Sequence, residues 1–124
     1  MTINHVVAVR NALADLIDTT INTGAGTATL VFETAGSAEV ATVNLQNPAF
    51  GAASGGTITL QGVPLSDSNA TGGTVAQFKV NDRDGDEVFS GSVGTSGEDI
   101  NLSSLAIGAG DTVEIVSLTY SAPV

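Results

Sequence analysis

The feature that most restricts how this chain can fold is a change of hydrophobic period at Thr23-Gly24-Ala25-Gly26. Before it, Val6, Val9, Leu13, Leu16, Ile17 and Ile21 recur at spacings of three and four, which places them along one side of an α-helix. After it, Ala28, Leu30 and Phe32 alternate with Thr29, Val31 and Glu33, the period of two that a half-buried strand requires. The helix is expected from Asn4 to Asn22, with Thr2 or Asn4 as N-cap and the glycines as its stop. Its polar side carries Arg10, Asn11, Asp15 and Asp18, so it is expected to lie on its support by one face only.

The remainder reads as short strands cut by turn signals. Ala35-Gly36-Ser37-Ala38 is expected as a hairpin loop, with a return strand from Glu39 to Leu45 that Asn47-Pro48 ends, because proline lacks a ladder donor. Thr57 to Gln61 alternates again, with Phe50 tucked beneath it. Residues 62–73 read as a long connection crossing to another sheet. Val75 to Asn81 and Glu87 to Val93 form the clearest hairpin, with Ala76, Phe78 and Val80 inward and Gln77 and Lys79 outward. Ile100 and Leu102 suggest a short strand.

The stretch from Gly91 to Tyr120 is glycine-punctuated and holds no residue set for covalent chemistry. In its last part, Thr112 to Tyr120, Val113 and Ile115 share one parity while Val116, Leu118 and Tyr120 break it. A bulge near Ile115 or a central, two-sided position would account for that. About seven strands at this spacing predict a mainly β fold, an antiparallel β-sandwich of jelly-roll or Greek-key type with one N-terminal α-helix. One domain is expected over 1–124, with the helix in 1–23 and the sandwich in 27–121.

Composition excludes several functions. Thirteen acidic residues face three basic ones, Arg10, Lys79 and Arg83, for a net charge of -10. Nucleic acids and acidic membranes are repelled by such a surface, so neither is an expected partner. Without cysteine there is no disulfide, thiolate ligand or thiol nucleophile. No basic leader and no apolar run of about 18 residues occurs, so the chain is expected to be soluble and not exported by a signal peptide.

One stretch resembles a cation loop: Asp82, Asp84 and Asp86 around Gly85. Calcium needs six to eight oxygens, and the order of an EF-hand is not met, whereas a hairpin tip explains Asp-Gly by itself. The three aspartates are weak metal candidates, and no cofactor is expected. His5 is the only histidine and Tyr120 the only tyrosine. No nucleophile-elbow pattern accompanies them, and Glu98-Asp99 and Asp111-Glu114 read as solvated charges, so no enzyme is expected. The glycine runs 51–56 and 91–97 neither precede a helix nor carry a phosphate-loop lysine. The stripe Val6, Val9, Leu13 and Leu16 approximates an a/d seam over two heptads. It serves either to pack the helix on its own sandwich or as an interface inside a homo-oligomer.

Arg10 to Asp18 (R-N-A-L-A-D-L-I-D), Gly24-Ala25-Gly26, Leu45 to Gly51 (L-Q-N-P-A-F-G), Val93 to Leu102 (V-G-T-S-G-E-D-I-N-L) and Ala109 to Val113 (A-G-D-T-V) come in the order of a known pattern. In these segments the chain resembles a family of small tailed-bacteriophage virion structural proteins. The resemblance covers most of the chain through turn-and-strand motifs, and it carries over no functional residue. It implies a capsid decoration or cement protein, made in the host cytoplasm and sitting on the capsid exterior, with the major capsid protein as partner. The alternative is a tail or fibre-associated module that binds the host.

Overall fold

A computed structural model of the chain describes residues 3–122. Helix α1 spans Val7–Ile21. Strands follow as β1 Thr29–Glu33, β2 Glu39–Asn44, β3 Thr57–Thr59, β4 Leu65–Asp67, β5 Gly73–Thr74, β6 Gln77–Asn81, β7 Glu87–Gly94, β8 Ile100–Asn101, β9 Ala106–Ile107, β10 Val113–Ile115 and β11 Thr119–Ser121. The molecule is mainly β, antiparallel and sandwich-like, with one N-terminal helix.

The helix starts later than its sequence suggests. Val6, in an extended conformation, is the N-cap and offers no side-chain bond, and its carbonyl accepts from Val9 and Arg10. The cap expected at Asn4 is not used, and Thr2 lies outside the described residues. The helix ends where expected, at Asn22, whose N–H reaches the Asp18 carbonyl. The Thr20 and Thr23 hydroxyls donate back to the carbonyls of Leu16 and Thr19, as threonines in a last turn often do.

Strand order in the main sheet is β2-β1-β6-β7-β8. The hairpins β1/β2 and β6/β7 form as expected, and β1 joins them by pairing antiparallel with β6, Phe32 opposite Phe78. β1 is the central partner of both hairpins, and its residues on both faces are buried, Val31 and Glu33 as well as Leu30 and Phe32. Glu33 is compensated by Lys79 at 3.2 Å and by the Gln77 amide, which donates to its Oε1 at 3.2 Å. Gln77 and Lys79 are therefore half-buried partners and not simply outward residues.

Three two-stranded ribbons, β10/β4, β11/β3 and β5/β9, complete the body, so the described strands number eleven rather than seven. Only β8 runs parallel to its neighbour, β7, and that ladder is two residues long. Residues 95–99 alone make the connection between them. The connection 62–73 contains β4, which sequence reading missed.

The final stretch corrects the expectation of a central strand over Thr112 to Tyr120. The chain forms β10 and β11 on two different ribbons, with residues 116–118 outside any strand. The parity change marks this break: Ile115 and Leu118 are buried, while Val116 points outward at 61% exposure. Phe32, Phe50, Phe78, Leu30, Ile58, Val43, Val80 and Ile115 belong to one buried cluster drawn from the sheet and the ribbons, with Ile21 as the helix's contribution.

Candidate functional site

The helix has two working faces, one docked on the body through polar and apolar residues and one exposed. Asn11, Asp15, Asp18 and Asn22 lie at i, i+4, i+7 and i+11, which makes them one stripe. Each accepts a backbone N–H from the glycine-rich segment 49–56. Gly56 donates to Asn11 at 2.7 Å, Ala53 to Asp15 at 2.9 Å, Phe50 to Asp18 at 2.9 Å and Ala49 to Asn22 at 3.0 Å. That segment has only isolated bridges to strands, so its amides need other acceptors, and the helix supplies them.

Arg10 extends the same face. Its Nη2 donates to the Ala122 carbonyl at 3.5 Å. A Cβ at Gly56, where φ is +79°, would stand 2.8 Å from the guanidinium, so glycine is required there for conformation and for space. Leu13, Ile17, Ala14 and Ile21 add the apolar part of the docking face.

The other face is apolar and exposed. Val6, the N-cap, is 67% exposed, Val9 43% and Leu16 59%, and Ile3 and Val7 at the helix start are exposed as well. Of the four stripe residues named from sequence, Leu13 packs against the core, and Val6, Val9 and Leu16 do not. Residues 3–14 contain no aspartate or glutamate, so Val6 and Val9 stand on a segment without acid, while Leu16 follows the exposed Asp15. The helix, 15 residues long, cannot cross a membrane, and no described helix is long and apolar enough to do so.

The aspartate turn serves the fold. Asp82 Oδ1 accepts from the N–H groups of Asp84 and Asp86, both at 2.9 Å, and Gly85 takes φ +89°. Asp84 Oδ1 accepts from the Ala25 N–H at 3.3 Å, and Gly26 exchanges bonds with Arg83. A Cβ at Gly24, itself at φ +123°, would lie 2.8 Å from this turn. The glycines that stop the helix and the acids of the hairpin tip are thus one docked unit. Among the described residues no three His, Cys, Asp or Glu side chains are grouped to hold a metal ion.

Other acids also have backbone duties. Asp99 Oδ2 accepts from the Ser92 N–H at 3.0 Å and hydroxyl at 3.2 Å, and Asp111 Oδ2 from the Gly108 N–H at 2.8 Å. Both carboxylates are exposed, as expected of solvated charges, and each also holds the backbone of its own loop. Glu39 accepts from the Thr42 hydroxyl and, at 2.7 Å, from the Thr71 hydroxyl. These bonds, Thr42 first, hold its carboxyl below the ordinary range, against a smaller opposite push from partial burial and the Asp67 carboxylate. His5 is exposed, two residues ahead of α1.

Sequence reasoning missed the capping stripe. A signal existed in the helical spacing of Asn11, Asp15, Asp18 and Asn22 combined with a long glycine run that has no ladder of its own. Comparison with protein-family models, curated proteins and solved structures finds no match to this chain.

Proposed function

We propose that this chain is a non-catalytic structural protein of a bacteriophage particle, a decoration or cement protein that self-associates through α1 and binds the major capsid lattice. The virion setting rests on the sequence resemblance. The assembly role is supported by one observation above the others: α1 spends its polar face on segment 49–56 and leaves Val6, Val9 and Leu16 on the surface. A valine and leucine stripe exposed on a single helix is what an assembly contact buries. Residues 3–14 add no acid at that contact, so two copies carrying -10 each can meet there without placing carboxylates of this segment face to face. In this reading the occupant of the stripe is a second copy, and the rest of the surface is left for contact with the shell.

A tail or fibre-associated, host-binding module is the second reading. Phe89 and Tyr120, both half-buried, stand together beside a groove, whereas Phe32, Phe50 and Phe78 are fully buried. Antibody labelling of the chain on intact particles separates the two. Even signal over the head is the expected result; signal confined to the tail favours the second reading, and absence from particles defeats both.

A further inference from the structure

We infer that the groove between β7 and β11 is a binding site for a neutral pyranose sugar. The groove has a volume of about 470 Å³, within the range of small-ligand sites. Its walls carry Phe89 and Tyr120, with ring centroids 5.5 Å apart and planes inclined at 44°, and its floor is Phe78 and Leu118. Three of the five aromatic side chains are fully buried in the core. The two that are not converge here.

Gly91 lets Asp99 and Phe78 pack against the β7 backbone beside the groove. A Cβ at Gly91 would lie 2.6 Å from both Asp99 Oδ2 and the Phe78 ring, so no side chain fits between them. Asp99 is held over the groove by its Oδ2 bonds to Ser92, which leaves Oδ1 as an acceptor. Ser90, Thr119 and the Tyr120 phenol bring hydroxyls that both donate and accept, as sugar hydroxyls require, while the Ser121 hydroxyl is paired with that of Thr57 at 2.8 Å. None of the three basic residues lines the groove, and the acidic chain repels anions, so phosphorylated and acidic sugars are excluded. The apolar face of a pyranose matches the rings, and its hydroxyl rim matches the polar wall. The inference does not depend on the particle assignment.

The chain has no tryptophan and a single tyrosine, so its tyrosine emission reports on Tyr120 alone. The test titrates the full chain with methyl glucoside, methyl galactoside, methyl mannoside and N-acetylglucosamine to about 50 mM, a range that detects millimolar affinity. Emission is read together with the backbone amide shifts of residues 89–91, 99 and 118–121. Glucuronic acid and tetramethylammonium are the anionic and cationic comparisons.

Saturable shifts confined to these residues with at least one neutral sugar, weakened about tenfold or more in folded Tyr120→Ala or Phe89→Ala and nearly retained in Tyr120→Phe, are the expected result. The inference is overturned if no neutral sugar produces them, if both alanine variants fold and bind unchanged, or if glucuronic acid or tetramethylammonium binds more tightly than every neutral sugar.

Discussion

Asp18 caps a loop 32 residues away in sequence, although it sits within a helix. An aspartate there is a poor helix former, and replacing it by alanine on a solvated face would be neutral or gain a few tenths of a kcal/mol. Because the Phe50 N–H loses its acceptor, Asp18→Ala is expected to cost about 1–2 kcal/mol in urea unfolding, while Thr19→Ala on the exposed side leaves stability within about 0.5 kcal/mol. Glu39 gives a second residue-scale expectation. Its folded carboxyl titrates below the ordinary value of 4.5, so the stability it contributes is present above that value and is lost as pH falls through the folded one. The stability difference between the native chain and Glu39→Gln should be widest near neutral pH and close by about pH 3, and Thr42→Val should narrow it.

At the scale of elements, the helix, the β1/β2 and β6/β7 hairpins and the turn at Asp82 to Asp86 were legible in the sequence. Each is written in local terms: a period, a glycine, an Asp-Gly tip. The docking direction of α1 was not, because apolar spacing identifies a stripe but not what covers it. The demand for acceptors came from segment 49–56, which looks merely flexible when read alone. The split of Thr112 to Tyr120 into β10 and β11 was visible only as a parity change at Val116, since partners as distant as Leu65 and Ile58 decide it. The Phe89–Tyr120 groove was illegible for the same reason. For the aspartate turn the account predicts that Asp82→Ala lowers the melting temperature equally in chelator and in about 1 mM calcium, because its carboxylate serves the Asp84 and Asp86 amides. A larger loss in calcium would point to a bound cation.

For the whole molecule, a net charge of -10 opposes association, and the exposed stripe of α1 begins on a segment, residues 3–14, that adds no acid to it. Deleting the helix is a poor test of this arrangement, since it would also strip the acceptors from segment 49–56 and expose Ile21's side of the core. Point changes on the exposed face avoid that. The most direct measurement is sedimentation equilibrium of the native chain and of a Val9→Asp/Leu16→Asp variant, at about 0.1 M and 1 M salt, where charge is screened beyond roughly 10 and 3 Å. The predicted result is a native oligomer that tightens with salt and a variant of single-chain mass whose melting temperature is no lower than that of the dissociated native chain. A native chain that stays at single-chain mass, or a variant that keeps the native mass, would contradict the account.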